Sequence, residues 1–270
     1  VASQNSVGKK IIFKNKEYDI VSINDAVEMK PDIALFSAGG STSLEWAPKF
    51  AEVGTRVIDN SSAWRMDSSK KLVVSDVNSE VLTNDDYIIA NPNCSTMQML
   101  VVLAPLHEKF KIKRLIISTY QSVSGTGKAA IDQLNSERNN LSSEKVYPYS
   151  IDQNLLPHCD VFEKDGYTKE ENKLINETRK ILNDYSIQIT STAVRVPIEV
   201  CHGETVNIEF KNKFELKEVY SILRSTPGLI VEDEPQDNLY PMPLNAANKD
   251  EVFVGRIRRD FSIENGLNLW

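Results

Sequence analysis

An α/β fold in two parts is predicted by three observations. Through residues 1–92 short apolar runs alternate with amphipathic stretches, the pattern of a parallel sheet covered by helices. At Ala90-Asn91-Pro92-Asn93-Cys94 a buried strand ends, a proline breaks it and a long apolar helix begins. Beyond that point longer strands at 112–120, 186–197 and 204–211 indicate an α+β domain with a mixed sheet. The expected parts are 1–92 and 93–270.

In order, 10–18 reads as a hairpin, 32–37 as a buried strand, 41–53 as a helix and 55–60 as the next strand. Short strands follow at 73–74 and 88–89. Parallel sheets bind ligands at the carboxyl ends of their strands. Two loops lie there, Ser37-Ala38-Gly39-Gly40-Ser41 and Asn60-Ser61-Ser62-Ala63-Trp64-Arg65. Asn93 is a favoured N-cap residue, so Cys94 falls in the first turn of a helix whose 97–110 stretch reads as amphipathic. The strand at 112–120 runs into Gln121-Ser122-Val123-Ser124-Gly125, followed by a helix over 128–138. Residues 139–160 are irregular, polar and hold two prolines, which predicts a surface excursion. Thr168-x-x-Glu171 is a capping box opening a helix over 168–183. A helix at 215–225 and strands at 229–232 and 251–259 complete the chain. Helices on one face of the second sheet would leave the other free to meet another subunit, so a dimer is expected.

With 270 residues, 41% of them apolar, the chain can bury a full core. A net charge of -7 argues against general binding to nucleic acid or anionic membrane. Arg256-Ile257-Arg258-Arg259 fits a strand with basic side chains on its solvent face. No apolar run approaches the roughly 18 residues of a membrane span and no signal peptide is visible. Cys94, Cys159 and Cys201 are too few and too far apart for a disulfide framework or a zinc ribbon, so a reducing compartment, the cytoplasm, and no metal are expected. Ser124-Gly125-Thr126-Gly127-Lys128 lacks a P-loop's first Gly, and Ala129 stands where Ser or Thr would ligate magnesium. No strand, Gly-rich turn and helix of dinucleotide type opens the chain.

A helix N-terminus favours a thiolate, so Cys94 is a candidate nucleophile as well as a candidate inert core cysteine. Such an enzyme needs an acid/base, groups that place a carbonyl and charge that holds the substrate. His107 lies in the apolar helix and reads as structural, His158 lies in the irregular stretch, and His202 follows a strand beside Gly203. Arg195 is the odd residue of an apolar strand; it either pairs with a buried carboxylate or binds an anionic ligand. Gln121 could orient a ligand or close a turn, Lys173 reads as a solvated helix lysine, and Glu171 is accounted for by its capping box.

Several blocks occur in one order: Ser37-Ala38-Gly39-Gly40-Ser41, Asp59-Asn60-Ser61-Ser62-Ala63-Trp64-Arg65, Asn91-Pro92-Asn93-Cys94-Ser95-Thr96, and Ser118-Thr119-Tyr120-Gln121-x-Val123-Ser124-Gly125-x-Gly127. Arg195-Val196-Pro197 with His202, Phe253-Val254-Gly255-Arg256-Ile257-Arg258 and Gly266-Leu267-x-Leu269-Trp270 follow. Together they resemble the bacterial aspartate-semialdehyde dehydrogenases. The resemblance implies a Rossmann-like cofactor domain, incomplete here, before a catalytic and dimerisation domain. Residues 1–8 resemble the segment that discriminates NADP from NAD, with Asn5 where many relatives carry Arg. The family's first strand with its Gly-rich turn, and its C-terminal helix, are expected outside these residues.

The family's reaction is reduction of L-aspartyl-4-phosphate by NADPH to L-aspartate 4-semialdehyde and phosphate, on the route to lysine, threonine and methionine. The resemblance makes Cys94 the nucleophile, His202 the acid/base and Gln121 the residue that orients the thioester. It assigns Arg195 to the substrate carboxylate, Glu171 to its amino group, Arg65 and Lys173 to phosphate, and Asn93 to the substrate site. Ser3, Ser6, Ser37, Ala38, Gly39, Ser124 and Gly125 fall at cofactor positions. A homodimer, or a tetramer built from it, is implied. The alternatives are another acyl-phosphate or acyl-CoA reductase on this scaffold and a non-catalytic binding subunit.

Overall fold

The computed structural model describes residues 1–2 and 4–270, the side chain of Gln4 excepted. The chain divides into two compact units, Val1–Val73 with Asn78–Pro92, and Val74–Val77 with Asn93–Trp270. No helix among the described residues is long and apolar enough to cross a membrane.

In the first unit the hairpin β1 (Lys10–Phe13) and β2 (Lys16–Asp19) precedes α1 (Ile23–Glu28), β3 (Ile33–Phe36), α2 (Gly40–Glu52), β4 (Arg56–Asp59) and β5 (Lys71–Leu72). The four-residue α3 (Ser75–Asn78), all but its last residue belonging to the second unit, and then β6 (Ile88–Ala90) follow. The sheet order is β3-β4-β6-β5 and all its pairings are parallel. Ala47 and Phe50 of α2 pack with Val57 and Ile88, which is the core this amphipathic helix was expected to make.

The second unit runs α4 (Cys94–Phe110), β7 (Ile112–Gln121), α5 (Lys128–Arg138), α6 (Lys169–Ile181), β8 (Gln188–Arg195), β9 (Gly203–Phe210) and α7 (Leu216–Ser225). It ends with β10 (Leu229–Val231), α8 (Pro243–Ala246), β11 (Val252–Val254), β12 (Arg258–Asp260) and β13 (Gly266–Leu269). Its main sheet has the order β12-β13-β9-β7-β8; β7 and β8 are parallel and the other pairs antiparallel. Register puts Ile117, Ser191 and Val206 in one row, Thr119, Ala193 and Glu204 in the next, and Gln121 beside Arg195 at the end. These residues alternate along their strands and are buried, so they share the covered face. The intervening Ile116, Ser118 and Tyr120 are half-buried.

Four expectations change. Strand β3 is not buried: Ile33 is 58% and Leu35 79% exposed. Helix α4 is buried around most of its circumference rather than along one stripe, because it packs against α6, α7, β7, β9 and β11 together. The irregular 139–160 stretch is no mere excursion. Ile151 and Leu156 enter a core with Val123 and Leu134, and Leu156 bridges Arg195 through two backbone hydrogen bonds. The strand expected at 251–259 is broken: β11 pairs with β10 and β12 with β13. At the break Gly255 lies so close to the Glu232 carbonyl that no Cβ fits, and Arg256 adopts φ 52°. The basic run therefore sits half in a turn.

Candidate active site

Asn93 caps α4 as expected: its Oδ1 accepts from the N–H groups of Ser95 (2.9 Å) and Thr96 (3.4 Å). Its other groups are held by α6. Glu177 Oε2 accepts from the Asn93 N–H at 2.7 Å, and Glu170 Oε1 accepts from Asn93 Nδ2 at 2.9 Å. Two carboxylates one helical heptad apart thus set the entry of the helix whose first residue is Cys94. The cysteine is exposed.

Glu170 gathers the neighbours. Its Oε1 also accepts from Gln121 Nε2 at 3.1 Å, and its Oε2 lies 3.1 Å from Lys173 Nζ, which in turn is 2.7 Å from Asp160. Lys173 is therefore an ion-paired residue of the site rather than a solvated one. Burial raises the Glu170 carboxyl, but Lys173, Asn93 and Gln121 outweigh it and hold the group ionised below its ordinary value. Burial pulls Lys173 down; Glu170 and Asp160 more than compensate.

Glu171, the residue expected to face the substrate, is not brought into this cluster. Its Oε2 accepts from the Thr168 N–H and its Oε1 from the Ala193 N–H, so both oxygens serve the capping box and β8. Consecutive helical positions point about 100° apart, which is why only one of the two glutamates can face Asn93. The signal was available: Glu170, Lys173 and Glu177 follow helical spacing on the face that meets α4.

Arg195 at the end of β8 is 6% exposed. Its Nη1 donates to the Ser122 carbonyl at 2.6 Å, its Nε has no hydrogen-bond partner, and it makes no ion pair among the described residues. Of the two possibilities open for this arginine, the pairing with a buried carboxylate is absent. His202 stands next to it. A Cβ on Gly125 would lie 3.1 Å from Arg195 Nη1 and 3.2 Å from His202 Nε2, so the loop after β7 runs close against both side chains. Ser122 N–H donates to His202 Nδ1 at 3.0 Å, which places the proton of the neutral ring on Nε2. Ser122 Oγ is 3.1 Å from the same nitrogen and 2.9 Å from Ser124 Oγ. Burial, reinforced by Arg195, pushes His202 down to about 4.

The helix start does not lower the Cys94 thiol as expected. The surrounding protein and the charges of Glu170 and Glu204 raise it, outweighing the N–H groups of Ser95 and of Cys94 itself. Besides Glu170 and Glu177, the unforeseen residues of the site are Ser122, Gln98 and Glu204. Gln98 Nε2 donates to Glu204 Oε1 at 2.5 Å and to the His202 carbonyl at 3.2 Å. The other histidines are structural: His107 Nδ1 accepts from the Ile112 N–H, and His158 stacks on Phe162.

In the first unit Ser37, Ala38 and Gly39 are exposed between β3 and α2. Gly39 is the N-cap at φ 86° and gives no side-chain cap to α2. Arg65 is buried and its Nη2 donates to the Asn60 carbonyl at 3.0 Å. Ser6 ends a short 3-10 helix and accepts from the Lys9 N–H; Ser3 lies outside the described residues.

Residues 103–270 match the family model described as semialdehyde dehydrogenase, dimerisation domain, and residues 1–85 that described as semialdehyde dehydrogenase, NAD binding domain. An aspartate-semialdehyde dehydrogenase of Aquifex aeolicus is 50% identical over 278 residues, covering 100% of this chain and 82% of its own length. The chain belongs to the aspartate-semialdehyde dehydrogenase family. Another aspartate-semialdehyde dehydrogenase, from Legionella pneumophila, is 45% identical over 100% of this chain and 80% of its own. Among solved structures, aspartate semialdehyde dehydrogenase II of Vibrio cholerae, crystallised in complex with ASA, superimposes with a TM-score of 0.93. It is 41% identical and covers 99% of this chain and 81% of that one. The family's two-part architecture, a nicotinamide-cofactor domain followed by a dimerisation domain, is the one this chain folds into.

Proposed function

We propose that the chain reduces L-aspartyl-4-phosphate to L-aspartate 4-semialdehyde through a thioester on Cys94, with NADPH as the reductant. The observation that carries this reading is Arg195, a buried guanidinium with no carboxylate of its own, at the end of a strand beside Gln121. A site built this way calls for an anionic ligand, since a buried unpaired charge is strongly unfavourable.

Cys94 Sγ attacks the acyl carbon and phosphate leaves, giving the thioester. Arg195 holds the α-carboxylate through its planar fork. Glu170, rather than Glu171, takes the amino group, because its carboxylate lies among Asn93, Gln121 and Lys173. Lys173 serves the phosphate, and Asn93 and Gln121 orient the acyl group. The neutral His202 presents Nε2 and exchanges a proton with the thiol and then with the carbonyl oxygen. Ser122 offers an N–H that suits the neutral ring and a hydroxyl that can accept from the protonated one. The nicotinamide supplies the hydride that converts thioester to aldehyde. Ser3, Ser6, Ser37, Ala38 and Gly39 in the first unit, and Ser124 and Gly125 in the second, are its proposed binding residues. A cytoplasmic homodimer fits this role.

The test follows NADP reduction by aspartate semialdehyde in the presence of phosphate, with NAD in parallel and Cys94→Ala as control. Turnover that requires both phosphate and Cys94 is expected, with preference for NADP. A folded protein that turns over without Cys94, or without phosphate, overturns the reading.

A further inference from the structure

Glu204 lies two residues beyond His202 at the start of β9 and is 7% exposed. Its Oε1 accepts from Gln98, which stands one helical turn after Cys94 on α4 and also reaches the His202 carbonyl. Its Oε2 is buried and has no hydrogen-bond partner. The same is true of Ser95 Oγ, on the residue after Cys94, whose hydroxyl is near enough to act on the Glu204 carboxyl.

No cation neutralises Glu204 among the described residues. The charged groups that act on it or share its surroundings are Glu170 of α6, Cys94 of α4 and His202 just before its own strand. Arg195 of β8 acts on His202, and Lys249 and Glu251 line the same cavity of about 220 Å³ without an ion pair to Glu204. A carboxylate buried with one oxygen bare and a like charge nearby is costly. A carboxylic acid is not, because its O–H can donate to Ser95 Oγ and satisfy both bare atoms at once.

We propose that Glu204 is a positioning residue, a neutral carboxylic acid that ties the first turns of the nucleophile's helix to the start of the strand that follows His202 and withholds a second negative charge from Cys94. Burial, reinforced by Glu170, pushes its carboxyl up to about 8 against the opposing hydrogen bond of Gln98 and the nearby Ser95 hydroxyl. Above that pH its charge adds to that of Glu170 in opposing the thiolate. The inference rests on Cys94 being the nucleophile.

The test is the pH dependence of Cys94 alkylation by iodoacetamide, followed by mass spectrometry of the Cys94 peptide in the whole chain and in Glu204→Gln. The variant keeps an acceptor for Gln98 and cannot ionise. At about pH 9 its Cys94 should react about threefold faster or more than the parent's, a downward shift of about half a pH unit in the thiol titration. Superimposable profiles overturn the proposal. Alkylation needs no turnover, so this failure is distinct from failure of the proposed reaction. The unsubstituted chain gives a second readout. With 13C-labelled glutamate, one carboxyl should titrate above neutrality, and titration of every glutamate below about pH 6 overturns the proposal even if Glu204→Gln does not fold.

Discussion

Glu170 and Glu171 are adjacent on α6 and serve different structures: Glu170 accepts from Asn93 and Gln121, and Glu171 accepts from Thr168 and Ala193. Substitution separates them. Glu170→Gln should raise KM for aspartate semialdehyde about 10- to 100-fold, since a charge-assisted contact is worth about 1.5–3 kcal/mol. Glu171→Ala leaves two buried N–H groups without acceptors and should cost about 2–3 kcal/mol of stability while KM stays within about twofold. Urea unfolding and steady-state kinetics on both variants check the pair. A KM effect confined to Glu171→Ala would return the amino group to Glu171.

Arg195→Lys keeps the charge and loses the fork. KM should rise about 30- to 100-fold, corresponding to about 2–3 kcal/mol. Lysine that binds the substrate as well as arginine does would remove the bidentate role.

Gly203 is pressed against the indole of Trp270, whose Nε1 donates to the Pro241 carbonyl at 2.9 Å. A Cβ at 203 would enter the indole ring. Gly203→Ala should therefore cost about 1–3 kcal/mol and lower the melting temperature by several degrees. Trp270→Leu in the same background should recover part of that loss by vacating the space, which a double-mutant cycle measures.

His202 is held down to about 4, against an ordinary value near 6.5. Between these values the unfolded chain takes a proton that the folded chain refuses, so stability falls as pH falls. From about pH 7 to about pH 5 the loss should be about 2 kcal/mol, and His202→Gln should flatten that slope in urea titrations. An unchanged slope would mean that the ring is charged in the folded protein.

The helix start at Cys94 was legible because Asn93 and the apolar run after it are local signals. Alternation of apolar residues located β7, β8 and β9 for the same reason. Glu170 was hidden behind a better local explanation for its neighbour, and only the phase of the helix against α4 distinguishes the two. Gln98 and Glu204 meet across more than 100 residues of chain, which no spacing rule reports. The break at Gly255 was illegible because Val252-Phe253-Val254 and Arg256-Ile257-Arg258 each read as strand on either side of it; contact with the Glu232 carbonyl decides it.

The resting pair of Glu170 and Lys173 acts as a placeholder. A visitor that carries both an ammonium and a phosphate can exchange partners with it, so that every charge in the pocket stays matched. One that carries only an ammonium leaves Lys173 with Asp160, whereas one that carries only a phosphate takes Lys173 from Glu170 and leaves that buried carboxylate without a cation. Selection therefore begins with the number and sign of charges, before shape is tested. On the proposed roles, inorganic phosphate alone is the poorer guest, because it leaves Glu170 without its partner.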